Sequence, residues 1–351
     1  RYSCTYSCKG VIRRLHYIII GLVACLACTP GKAQQAFYVM EYNVENYFDC
    51  RHDSLKNDNE YLPGALRGWS HKRYADKRDK IAKVILAAAR GGVPDVVALC
   101  EVENAACMDA LVKYSPLRDA AYRYVMTDSP DERGIDVALL YQPSSFRLIH
   151  SESIPVPPLS KSCRPTRDIL HVAGRLVSGD TLDVFVCHLP SRMGGERQTR
   201  PYRQHAVRIL RHATDSVMHV RKNPYIVITG DFNAEPSSPL VRETLGAKNT
   251  SATVESDSLY ELMKESSIGT YRYKGEWSII DHLIVNGSLL QGEDNALSIP
   301  SDGVGILAFP FLLEDDEQYG GEKPFRTYHG MKYQGGFSDH LPVLLKLLIK
   351  E

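Results

Sequence analysis

Eight residues of this chain place oxygen or imidazole nitrogen at or just beyond short apolar runs: Asn43, Glu101, His188, Asp231, Asn233, Asp281, Asp339 and His340. Six are carboxylates or carboxamides and two are histidines. Carboxylates and amide carbonyls are hard donors, which suit Mg2+, with Mn2+ or Ca2+ as alternatives, better than zinc or copper. Asp231 and Asn233 are two apart, so on a continuing strand both face one side. Glu101 follows five apolar residues and would be costly to bury without a cation beside it. Any one of these residues would pass for a strand-end turn or cap. Eight of them at the ends of six strands point to an oxygen-rich metal site.

The segments that must hold them are short and rich in Val, Ile and aromatics: 37–43, 96–101, 137–141, 184–188, 225–231, 279–285 and 341–348. Runs of this length and composition predict strands buried on both faces. Between them, Ile81, Val84, Ile85 and Ala88 recur at helical spacing before Gly91-Gly92. Val207, Leu210, Thr214 and Val217 do the same before Pro224. Strands alternating with amphipathic helices predict an α/β architecture with the polar residues gathered at the sheet ends.

The wording around those residues resembles the endonuclease/exonuclease/phosphatase family, whose fold is the deoxyribonuclease-I-like one. Tyr42-Asn43-Val44-Glu45-Asn46 resembles its first motif. Asp95 to Asn104 resembles its second, with Cys100 where Gln is usual. His188-Leu189-Pro190-Ser191, Gly230-Asp231-Phe232-Asn233, Ile280-Asp281-His282 and Ser338-Asp339-His340 follow in the family's order. The resemblance spans 37–349 and implies a four-layer α/β/β/α sandwich of two facing mixed sheets. It implies metal ligation by Glu101 and Asp339 assisted by Asn43, and water orientation or a second metal at Asp231 and Asn233. It also implies a His340 braced by Asp281, and His188 as the acid for the leaving oxygen. Asp136 stands where the family often puts the partner of that histidine. Glu103 reads as a solvated carboxylate or a loop acceptor.

Two further segments bear on the substrate. Ser191 to Arg200 holds three arginines in a glycine-containing loop, of which Arg192 is the candidate phosphate clamp. Lys323 to Tyr333 interleaves cations with tyrosines around Arg326, a pattern that serves base stacking or a packed loop over a cleft. The leading expectation is a secreted metal-dependent phosphodiesterase acting on nucleic acid, its wording resembling secreted bacterial nucleases of the family. The alternative is a phosphatase or phosphodiesterase acting on a lipid headgroup or sugar phosphate. A binding module without catalysis is disfavoured, because all six motifs retain chemically competent side chains. No obligate protein partner is inferred.

Composition sets the outer bounds. The 351 residues carry 42 Lys+Arg against 42 Asp+Glu and are 44% hydrophobic, which excludes a disordered, collagenous or multi-span membrane chain. Residues 1–33 hold five basic residues and no acid, leaving a formal charge of −5 on the rest. That balance disfavours a tight, sequence-blind polyanion binder but not turnover of a phosphate ester at a local cationic site. Arg13-Arg14, the apolar run 17–27 and Gly31-Lys32-Ala33 read as a secretory signal cut before Gln34, with 34–351 as one catalytic domain in the periplasm or outside the cell. Leu22-Val23-Ala24-Cys25 resembles a lipobox, and lipidation at Cys25 or Cys28 would tether the protein to a membrane. Of the nine cysteines, the five beyond residue 33 show no zinc spacing, and Cys100 and Cys187 read as small core residues.

Overall fold

The computed structural model describes residues 34–350 apart from Arg90, Ser162, Ser251, Ala252, Glu265 and 293–295. The expected signal segment, with Cys25 and Cys28, lies outside the described residues. No helix among the described residues is long and apolar enough to cross a membrane.

The apolar runs become the centre of two mixed sheets. In the first, β1 (Gln34–Tyr47) pairs parallel with β2 (Val96–Val102) and antiparallel with the Val343–Lys350 strand. On the far side of β2 follow β4 (Asp136–Tyr141) and then β3 (Arg123–Met126). The second sheet runs β5 (Arg147–Ile154), β6 (Ile169–Arg175), β7 (Thr181–His188), β8 (Tyr225–Asp231) and the Asp281–Asn286 strand, with two short strands beyond.

The sheets face each other across a core that includes Val39, Ala98, Cys100, Leu139, Val172, Val184 and Val227. Each Val, Ile or Leu removed from water there is worth roughly 1.5–3 kcal/mol. Burial on both faces is why these strands read as unbroken apolar runs. Helix α1 (His71–Ala88) starts at Ser70, whose side chain accepts the Arg73 N–H. It turns Ile81, Val84 and Ile85 onto the outer face of the first sheet. Helix α3 (Glu196–Val220) covers the second sheet with Val207, Leu210 and Val217. The four-layer α/β/β/α sandwich expected from the sequence is the observed fold.

Strands β3, β5 and β6 and helix α2 (Ala105–Tyr114) lie outside the seven runs and two helices expected from the sequence. Helix α2 is capped by Asn104, which accepts the Cys107 N–H, and buries Cys107, Met108 and Leu111. Strand β5 is an exposed sheet edge whose alternation of polar residues carries no apolar run.

Candidate active site

Strand register sets the first row of the site. His188 at the end of β7 and Asp281 at the start of its strand both lie opposite Asp231, the last residue of β8. Gly230 makes this closeness feasible: its φ is +135°, and a Cβ there would overlap the Cys187 carbonyl oxygen. Asn43, from the other sheet, donates from Nδ2 to Asp231 Oδ2 at 3.1 Å and so bridges the two sheets. His340 arrives from the segment before the last strand. Its Nδ1 lies 2.8 Å from Asp281 Oδ2, and its Nε2 lies 3.9 Å from Asp231 Oδ2.

Glu101 enters from β2 with φ +67°, and its Oε2 accepts the Asn46 N–H at 2.9 Å. Glu45, Asn46 and Asn233 are left-handed as well. For the two glutamates this costs on the order of 1–2 kcal/mol each. Strained residues that cluster at one place are a mark of a functional site. Asn233 donates its own N–H to Asp231 Oδ1 at 2.8 Å, which closes the Gly230–Asn233 turn.

The two histidines differ sharply in charge. Burial alone would lower His340, but the Asp281 carboxylate holds it well above its ordinary value, with Asp231 and Asp339 adding. His188 has no such carboxylate behind it. Its Nε2 is 3.6 Å from Asp231 Oδ2 and 3.8 Å from Glu101 Oε1, and its Nδ1 is buried without a hydrogen-bond partner. Burial pushes His188 well below its ordinary value, and Arg167 and Arg133 add to this. Burial also raises Asp231 to about 7, against the pull of His340 and with repulsion from Asp281. Beneath the cluster Glu41 is fully buried with both carboxylate oxygens unpartnered. Burial and the Asp281 charge raise it well above the ordinary carboxylate value.

Asp136 is a correction. It does not pair with His188: its Oδ1 accepts from Thr127 Oγ1 at 2.5 Å, from the Ser129 N–H at 3.0 Å and from Ser129 Oγ. The strand start brings Asp136 near the cleft, but the 127–129 turn takes up its carboxylate. The position behind His188 belongs instead to Arg167, which sequence reasoning missed. Its Nε donates to the His188 carbonyl at 3.1 Å, its Nη2 to the Leu189 carbonyl at 2.8 Å and its Nη1 to Asp131 at 3.1 Å. Glu103 is a buried acceptor of the Asp49 N–H, pushed up to about 8 by burial.

The Lys323–Tyr333 segment is a packed loop. Arg326 Nη2 donates to Asp339 Oδ2 at 2.9 Å, and its Nε reaches Glu45 at 3.4 Å. Tyr328 is buried against Trp69, and Tyr333 donates to Asp76. Tyr328 is thereby withdrawn from stacking, and Arg73 lies over the Tyr333 ring at 4.2 Å. Glu45 accepts the Thr327 and Tyr328 N–H groups, and buried Lys77, lowered to about 8 by desolvation, donates to Thr327 Oγ1. Arg192 donates from Nε to the Asn233 carbonyl at 2.7 Å and remains half exposed at the rim. His282, beside Asp281, donates from Nε2 to the Ala234 carbonyl at 2.8 Å and is held at Nδ1 by Glu261.

All eight residues singled out in the sequence therefore meet at one end of the facing sheets. A family model for the endonuclease/exonuclease/phosphatase family matches residues 38–349. The chain belongs to this family. Among solved structures, a Bacteroides thetaiotaomicron endonuclease/exonuclease/phosphatase family protein aligns with TM-score 0.57 and 14% identity, over 90% of this chain and 99% of the other. The human Nocturnin catalytic domain aligns at 0.52 and 16%, over 90% and 96%. A mannosyl-6-phosphatase of B. thetaiotaomicron aligns at 0.54 and 17%, over 89% and 99%. At such identities these likenesses speak for the fold. No curated protein matches the chain in sequence.

Metal-dependent phosphoester hydrolysis is the family's chemistry, and the donor set here fits a divalent cation. Asp231, Asp281 and His340 bring polar atoms within 4.8 Å of one another. Because His340 is held protonated against Asp281, the ligands this trio can offer are its carboxylates. Asp231 stands near 7 through burial and repulsion, and a dication would return it to its charged form. Asn43, Glu101 and Asp339 add oxygen donors beside this group. No sulfur donor lies among these residues.

Proposed function

We propose that this member of the endonuclease/exonuclease/phosphatase family is a Mg2+-class phosphodiesterase, with nucleic acid as its leading substrate. The observation that carries this reading is the convergence of Glu101, His188, Asp231 and His340 at the ends of the facing sheets, with two hollows in the same region of the surface. One, of about 580 Å3, is lined by Asp131, Glu132, Arg133, Arg167, Pro190 and Ser191, of which Arg167 holds the His188 carbonyl. The other, of about 210 Å3, lies beside Asp339 and is lined by Arg272, Lys274, Lys323 and Arg326. A diester has a substituent on each side of the scissile phosphorus, whereas a monoester needs room on one.

In this reading Glu101 and Asp339, assisted by Asn43, hold the metal. When bound, it polarises a phosphoryl oxygen and offsets the charge that builds on the phosphate. Asn233 and Asp231 orient the attacking water, and Asp231 takes its proton as the new P–O bond forms. The leaving oxygen departs with the electron pair of the P–O bond that breaks and takes its proton from solvent water. Asp281 holds His340 charged, so that its Nε2–H donates to a phosphoryl oxygen. His188, neutral in its site, donates a hydrogen bond from Nε2, a role that replaces the leaving-group acid expected from the family. Arg192 and Arg326 contact flanking phosphates.

A second reading, hydrolysis of a sugar phosphate, is favoured by one observation. Arg326, Arg272 and Lys323 are already paired with Asp339, Asp316 and Glu314, so the smaller hollow offers little unpaired charge to a second phosphate. The mannosyl-6-phosphatase is a relative in fold with the same kind of substrate.

The test is a parallel assay of single-stranded DNA, RNA, an aryl phosphodiester, an aryl phosphomonoester, mannose 6-phosphate and a lipid-headgroup diester, with Mg2+ and after chelation. Diesters are expected to lead monoesters by at least ~10-fold, with nucleic acid the best substrate. Activity should vanish on chelation, and Glu101→Gln should fall by orders of magnitude with the fold intact. Preference for mannose 6-phosphate would select the second reading. Full activity without metal would sink both.

A further inference from the structure

We propose that His150, Glu152 and His171 bind a divalent transition-metal ion of the zinc class on the second sheet, apart from the phosphoester site. His150 and Glu152 are two apart on edge strand β5, and Glu152 lies opposite His171 of β6. A register shift between Leu148 and His150 marks a bulge, the device by which an edge strand re-aims a side chain. The three residues bring one donor atom each within 4.8 Å of one another.

The distances suit one small cation. His171 Nδ1 lies 2.9 Å from Glu152 Oε1, and His150 Nε2 lies 3.9 Å from Glu152 Oε2. Donors around a tetrahedral zinc stand about 3.3 Å apart, between these two values. His150 and Glu152 are half exposed and free to adjust by rotamer, while His171 is buried and fixed.

What fixes His171 is the strongest part of the argument. Its Nε2 lies 2.9 Å from Asp183 Oδ1, and its ring stacks on Phe185 at 4.4 Å. Asp183 is fully buried and is itself gripped by Arg221 through both carboxylate oxygens at 2.9 Å. The Asp183 carboxylate on the far nitrogen orients the ring, and an ion at Nδ1 would replace the proton that Nδ1 now shares with Glu152 Oε1 at 2.9 Å. Such a carboxylate is the outer support found behind metal-bound histidines. An edge strand that needed only charge to repel a neighbouring sheet would not require an oriented, buried imidazole behind it.

Two nitrogens and one carboxylate make a softer set than the oxygen donors of the phosphoester site. The two should therefore sort metals, zinc here and magnesium there. A bound ion would tie edge strand β5 to β6 and leave its remaining position open to solvent.

The experiment titrates Zn2+, and Co2+ as a spectroscopic probe, into the full-length protein saturated with Mg2+. Wild type should take up one equivalent of Zn2+, show ligand-field absorption with Co2+, and melt at a higher temperature with Zn2+. His150→Ala and Glu152→Gln should each weaken binding by at least ~10-fold and lose the Co2+ band and the thermal gain. Mg2+-dependent hydrolysis should be unchanged in both variants. Equal Zn2+ affinity in wild type and the two variants, or no Zn2+ uptake at all, would overturn the proposal and leave the trio as an ion network on a sheet edge.

Discussion

His188 and His340 approach the same carboxylate, Asp231, from opposite flanks, at 3.6 and 3.9 Å. What lies behind each ring differs. His340 is backed by the Asp281 carboxylate; His188 is backed by Arg167, which holds its backbone, and by an unpartnered Nδ1. One environment stabilises imidazolium and the other excludes it. Equivalent side chains at equivalent distances are thereby given different work, and the assignment is made by the residues one layer out.

The largest test of this contrast removes the backing of the charged histidine. Asp281→Asn and His340→Ala should each lower kcat by ~10²–10³, and the double variant little more than the worse single, because the pair acts as a unit. Additive losses would break the pair apart. A raised metal requirement in Asp281→Asn would instead make that residue a ligand.

A smaller effect, ~10–10²-fold, is expected for His188→Ala. A hydrogen-bond donor to the phosphoryl oxygen should matter equally for aryl and alkyl leaving groups. A loss concentrated on poor leaving groups would restore the acid role.

The metal-free protein should report the same contrast in its stability against pH. His340 has a folded pKa well above 6.5. Its contribution is therefore complete below about 6.5 and lost as pH rises through the folded value. His188 has a folded pKa well below 6.5. Its contribution is present above about 6.5 and lost as pH falls towards the folded value. Denaturant titrations should show each slope, up to about 1.4 kcal/mol per pH unit, flattened by the corresponding Gln variant. A slope unchanged in either variant would contradict the charge assigned to that ring.

The smallest effect belongs to Asp136→Asn. With its carboxylate held by the 127–129 turn, turnover should be unaltered and Tm lowered by a few degrees. Any kcat loss above ~3-fold would reconnect Asp136 to His188.

The layers and the converging polar residues were legible because two-sided burial writes itself as apolar runs and the chemistry stands at their ends. Helix α2 escaped notice, although Asn104 and the spacing of Cys107, Met108 and Leu111 signal it. Arg167 was not legible, since its partners are backbone carbonyls and its loop has no periodicity. The left-handed backbone at Glu101 leaves no trace in residue type. Asp136 shows the limit most plainly: proximity to a strand start said where it lies, but not that Ser129 and Thr127 would take it first.

The Glu45 contacts carry a consequence for timing. This residue near the start of the described chain is held by the Thr327 and Tyr328 amides, 282 and 283 positions later. Strand β1 lies between β2 and Val343–Lys350. At ribosomal speeds of ~5–20 residues per second, the first motif waits roughly 14–56 s for these late neighbours. Until then the emerging polypeptide has no closed site, and shortened fragments should be inert. A hydrolase assembled this way cannot act on phosphate esters of the cell while it is still being made.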